Sequence, residues 1–217
     1  MKKLITVLTL AALCGPAAAL GVKKPPPTAQ VLAAKNAAWA CKALRTTMGA
    51  HAFVTTYGTN RNASGAGAMR NAFGKCVSQK VRQIRRAGLF EAATGTLTAP
   101  TSTTLTLTGT IAGGRPIASG TLSGTFSVNL ASAVTKHGVT CAPVTGTLTL
   151  TQASPAGTLQ KTLTTATFCK GAAGSALVGR YSLTGTGAFA GKTGTGTELL
   201  LAPTTGSAHS VEFGSIG

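Results

Sequence analysis

Along the C-terminal half of the chain, apolar residues recur at every second position. Leu105, Leu107, Gly109 and Ile111 alternate with Thr. Leu122, Gly124, Phe126, Val128 and Leu130 alternate with Ser, Thr and Asn, and Val144, Gly146, Leu148 and Leu150 alternate with Thr. Leu177, Gly179, Tyr181 and Leu183 repeat the pattern more loosely. A period of two predicts antiparallel strands with one face buried. Further strands are expected near 158–168, 193–201 and 207–213. Pro100, Pro116, Pro143, Pro155 and Pro203 fall between or beside these runs, where strands tolerate proline. The segment 94–217 is therefore expected to form one antiparallel β-domain, a barrel of about eight strands, with a β-sandwich as the alternative. Closure is the favoured form because it removes exposed strand edges.

The N-terminal part has another period. From Thr28, a plausible N-cap, to Met48 the chain is Ala-rich and holds neither Gly nor Pro, which predicts a helix ending at Gly49. Residues 50–56 add a further turn or two. A second helix is expected from about Gly67 to Ala87. Met69, Phe73, Cys76, Val77, Val81 and Ile84 follow three- and four-residue steps and share one face of it. Lys75, Gln79, Arg82 and Arg86 line another. Gly58–Gly67 then reads as the connection. The expected order is a basic helical hairpin over 28–90 followed by the β-domain over 94–217, so the fold is mainly β with an N-terminal hairpin.

Ahead of the hairpin, Lys2 and Lys3, the apolar run Leu4–Leu13 and Ala17–Ala19 have the order of a cleaved secretory signal over 1–19. Residues 20–27, with three consecutive prolines, read as an extended linker. The chain is expected to be secreted and extracellular. Cleavage removes Cys14 and leaves Cys41, Cys76, Cys141 and Cys169, an even set in an exported chain. The change of texture between the halves favours Cys41–Cys76 and Cys141–Cys169. With no CxxC and sparse His, these cysteines do not suggest zinc. No metal and no cofactor are expected.

The charge is lopsided. There are 20 Lys and Arg against three acids, Glu91, Glu198 and Glu212, and there is no Asp. An EF-hand loop is thereby excluded, and a Ser-His-acid triad would have to borrow a Glu. Paired-carboxylate hydrolysis would need two of the three Glu to converge. Residues 21–90 carry 12 Lys or Arg and no acid. Lys75, Lys80, Arg82, Arg85 and Arg86 form the densest group, expected to face water and to meet an anionic envelope polymer or membrane surface. Aromatic residues are too sparse for a base-stacking platform, so no dedicated nucleic-acid binding is expected. The formal sequon Asn62-Ala-Ser64 is read as unmodified connection. In the β-domain, Arg180, Tyr181, Glu198, His209 and Glu212 are the candidate polar set for a pocket. Alternation counts against its convergence, since His209 and Glu212 fall on opposite faces of a regular strand.

Two segments carry family resemblances. The block CKALRTTMGAHAFVTTYGTN…RNAFGKCVS, residues 41–78, resembles a segment that recurs in secreted actinobacterial proteins, to which no activity is attached. GTGAFAGKTGTGT, residues 185–197, is similar to the hairpin of allene-oxide-cyclase and dirigent-type barrels. That resemblance implies an eight-stranded antiparallel barrel with a small apolar cavity. It carries over no catalytic residue. The sequence thus points to a non-enzymatic binding or structural protein at the cell envelope. The alternative is a barrel for a small apolar ligand, as in an isomerase or cyclase.

Overall fold

The computed structural model describes residues 29–59, 65–99 and 101–217. The expected signal (1–19), the linker (20–27), Thr28 and the Asn62 sequon lie outside them. Three helices precede nine strands: α1 Ala29–Met48, α2 Ala50–Tyr57 and α3 Gly65–Arg86, then β1 Leu89–Thr98, β2 Thr104–Arg115, β3 Gly120–Val128, β4 Val134–Lys136, β5 Val139–Gln152, β6 Gly157–Gly171, β7 Gly174–Gly187, β8 Thr193–Pro203 and β9 Ala208–Ile216. All ladders are antiparallel. β3 pairs with β5 and β1 pairs with β9, so eight strands close into a barrel. The short β4 only extends β5 as a flanking hairpin. The barrel, not the sandwich, is the architecture.

Alternation places one set of side chains inside. Leu107, Phe126, Leu148, Leu159, Leu177 and Leu200 are among the buried residues of this interior. Leu130, expected to continue β3, instead sits in a short 3-10 turn after it and is 46% exposed. At one end Phe189, in the β7–β8 turn, folds back into the interior. Gly187 and Gly191 turn the chain there at φ 61° and 78°. A side chain at Gly185 would collide with the Phe189 backbone, which accounts for the small residues of GTGAFAG.

β1 was not anticipated, and the expected start of the β-domain at 94 cuts through it. The reason is double burial. Leu89 and Ala93 belong to the barrel interior, whereas Phe90 and Ala92 lie under the helices. Covered on both sides, the strand shows no polar alternation. The β part therefore begins at Leu89, with only residues 87 and 88 between it and the end of α3.

Gly49, at φ 78°, breaks α1 from α2. Phe53, Val54, Ala72 and the Cys41–Cys76 disulfide form the centre of the helical unit. Ala37, Ala40 and Ala43 line one stripe of α1. Their short side chains let the helix settle on Ala176, Leu199, Leu201 and Val211 of the outer barrel wall, with Ile84 of α3 and Phe90. Burying each large aliphatic residue stabilises this contact by roughly 1.5–3 kcal/mol. Arg115 of β2 donates to the carbonyls of Ile84 and Ala87, both at 3.0 Å, and so caps the end of α3 on the barrel. The second disulfide joins Cys141 and Cys169, directly opposed on β5 and β6.

Candidate functional site

Three regions carry chemistry: a charged cluster inside the barrel, an open mouth at one end, and the basic outer face of α3.

The interior cluster is built by neighbouring strands. Glu91 on β1 opposes Glu212 on β9, and Glu212 opposes Glu198 on β8. All three acids of the chain thus meet in one row across three strands. Lys161 projects from β6, in phase with the interior residues Leu159 and Leu163. Lys161 and Glu198 are 0% exposed, Glu212 1% and Glu91 2%. Lys161 Nζ donates to Glu198 Oε2 at 3.0 Å and contacts Glu212 Oε2 directly. Ser210 Oγ donates to Glu198 Oε1 at 2.5 Å. The Ile117 N–H donates to Glu91 Oε1 at 3.0 Å. Lys161 Nζ also lies 5.2 Å from the centre of the Tyr181 ring. Glycines make the room: a side chain at Gly114 would strike Glu91 Oε2, and one at Gly196 would strike the Tyr181 hydroxyl.

Three atoms of this cluster have no partner: Glu91 Oε2, Glu212 Oε1 and the Tyr181 hydroxyl. Burial pushes the Glu91 carboxyl up to about 8, against the hydrogen bond from Ile117 and the charge of Lys161. Burial, with the charges of Glu198 and Glu91, raises the Tyr181 phenol well above its ordinary value. One amine and three carboxyls buried together are costly unless paired. One amine against three carboxyls leaves an excess of negative groups, which a neutral Glu91 relieves.

The structure divides the candidate set. Tyr181, Glu198 and Glu212 come together inside. Arg180 is exposed, and His209 lies on the outer face, its ring stacked on Trp39 of α1 at 3.9 Å. Burial and the nearby Lys35 and Lys42 lower the His209 pKa. His209 and Glu212 thus occupy opposite faces. Sequence reasoning missed Lys161, Glu91 and Ser210. The signal for Lys161 was its place in the apolar phase of a strand.

The mouth lies at the other end from Phe189. It is a cavity of about 610 Å³ whose lining includes Leu97, Leu105, Val128, Ala142, Phe168 and Ala202, with Lys170 the only charged residue among the described residues that line it. No residue of the interior cluster lines it. Polar groups and open cavity are therefore separate features.

On α3, Lys75, Arg82, Arg85 and Arg86 face solvent as expected. Lys80 does not. It is 9% exposed, lies between Cys76 and Ile84 on the buried face, donates to Gln83 at 3.0 Å and sits 4.9 Å from the Phe213 ring centre. Burial lowers its pKa. Arg70, Lys75 and Arg82 border a shallow groove with Tyr57 and Gln79.

Among the described residues no group of three His, Cys, Asp or Glu is arranged to hold a metal ion, and no helix is long and apolar enough to cross a membrane. Fold and site define a closed eight-stranded antiparallel barrel with a disulfide-stapled basic helical cover. Compared with known protein families, curated proteins and solved structures, the chain matches none.

Proposed function

We propose that this is a secreted, non-enzymatic protein that binds anionic surfaces of the cell envelope through its helical cover. The observation that carries this reading is where the acids are. All three sit inside the barrel, so the outside bears no acidic side chain. Of the fifteen described Lys and Arg residues, all but Lys80 and Lys161 are exposed. The exterior is thus an uncompensated positive field, densest along α3. The two disulfides suit an oxidising compartment.

The test is adsorption to vesicles of anionic and of zwitterionic lipid, and to a soluble polyanion, over a range of salt. Anionic vesicles should bind, with affinity falling steeply as salt rises. Reversing Lys75, Arg82, Arg85 and Arg86 to Glu should weaken binding by at least roughly a thousandfold, since loss of the four basic groups alone removes about 1 kcal/mol each. Adsorption unchanged by that quadruple variant would sink the proposal.

A second reading rests on the mouth. Its volume and apolar lining suit one small ligand with a hydrocarbon body, in line with the ligand-holding capacity of eight-stranded barrels. Lys170 at the rim favours a negatively charged end on that ligand.

A further inference from the structure

We infer that Lys161 and Glu212 become joined by an intramolecular amide bond, which ties β6 to β9 across the barrel interior. These strands are not neighbours, since β7 and β8 stand between them. The two side chains cross the lumen to meet, 51 residues apart in sequence.

The geometry places each part of a condensation. The nucleophile is Lys161 Nζ, which already contacts Glu212 Oε2. The electrophile is the Glu212 carboxyl, whose other oxygen, Oε1, has no hydrogen-bond partner. A base stands on the far side of the amine, Glu198 Oε2 at 3.0 Å. Ser210 fixes that base by donating to its other oxygen. Glu91 directly opposes Glu212 across the ladder, and its Oε2 is also unpartnered. Both residues project into the lumen, but the Glu91 carboxyl leans toward β2, where its Oε1 accepts from the Ile117 N–H and its Oε2 fills the space beside Gly114. Burial favours the protonated form of Glu91.

The step balances without any co-reactant. Glu198 takes a proton from the Lys161 ammonium and frees the lone pair. Nζ attacks Cδ of Glu212, and the negative charge that develops on oxygen is met by the proton that Glu198 has taken up. Glu198 then carries the second proton from Nζ to the same oxygen, and collapse breaks that Cδ–O bond. The two protons lost by Nζ leave with that oxygen as water, and one N–H remains on the amide. Nothing is oxidised or reduced. The product also suits its surroundings, because a neutral amide replaces a buried ammonium and a buried carboxylate. Apolar neighbours, Leu159 and Leu163 among them, keep water from reversing the reaction. Glu198 is the acid–base group of the reaction, and Ser210 is a positioning residue.

The experiment is mass spectrometry of the folded, oxidised protein after its N-terminus has been read. The expected intact mass is that of the disulfide-bonded chain less one water. Proteolysis should release a branched peptide joining the Lys161 and Glu212 segments. Glu198→Ala should retain the full mass, and Lys161→Arg should do the same. Glu212→Gln should condense with loss of ammonia and reach the wild-type product mass. Because these variants can fail to fold, the wild-type result decides. Folded wild-type protein at full mass with separate peptides overturns the inference, and so does a water loss mapped to any other pair.

Discussion

At the scale of single residues, the barrel interior is governed by who neutralises whom. Glu91 makes the sharpest case. Its carboxyl titrates near 8 when folded, against about 4.5 when exposed. Between those values the folded chain holds a proton that the unfolded chain has released. Stability should therefore fall as pH rises through that window, by up to about 5 kcal/mol from this group. Glu91→Gln keeps the shape and removes the titration. Its denaturation midpoint should be nearly flat from about pH 5 to about pH 8, while the wild type declines. A wild-type midpoint that rises over this range would contradict the neutral buried carboxyl. Tyr181 yields a second expectation. Its hydroxyl is buried without a partner, so Tyr181→Phe should cost less than about 1 kcal/mol or stabilise the fold, as measured by chemical denaturation. Some of this chemistry was legible. Lys161 falls in step with Leu159 and Leu163, and Lys80 falls four residues from both Cys76 and Ile84. A cation in an apolar phase is a buried cation, a rule that a count of surface charge overlooks. The convergence of the three Glu was not legible, because it depends on the register of β1 on β9 and of β9 on β8.

At the scale of elements, strands with one wet face were readable and strands covered twice were not. β2, β3 and β5 alternate cleanly because Thr faces solvent on their outer side. β1 and the Leu199–Leu201 stretch of β8 carry apolar residues on both faces, because the helices cover the outer one. Their double burial also binds the two parts of the chain together. A piece comprising residues 88–217 keeps every barrel strand, so its far-UV spectrum should show β-structure. It would, however, bare Phe90, Leu199, Leu201 and Val211 together. Such a patch is large for a monomer surface, and the piece should self-associate in sedimentation experiments. A monomeric, folded piece would mean that the helical cover is dispensable, and a disordered one that it is needed for closure. The helical unit should be the weaker partner. Removing its staple with Cys41→Ser and Cys76→Ser should cost roughly 3–4 kcal/mol for a loop of this length. Helical signal should then be lost at lower denaturant than β signal.

At the scale of the molecule, the barrel sorts charge by sign. All three carboxylates go in, every described cation but Lys80 and Lys161 stays out, and the open mouth is largely apolar with Lys170 on its rim. The two proposed binding modes therefore differ in what they ask of a ligand. The α3 face needs only negative charge, whereas the mouth needs a hydrocarbon body and is merely biased toward an acidic head. This separation can be measured with a fluorescent fatty acid and its neutral alcohol counterpart. If the mouth binds, Ala202→Trp should block both by filling the cavity. Lys170→Glu should weaken the acid roughly five- to tenfold, the range expected for one exposed charge contact turned repulsive, and leave the alcohol unchanged. The quadruple reversal on α3 should alter neither in the presence of moderate salt, because screening confines its field to about 8–10 Å. Binding lost through the α3 reversal but not through Ala202→Trp would assign the fatty acid to the helical face and leave the mouth without a ligand.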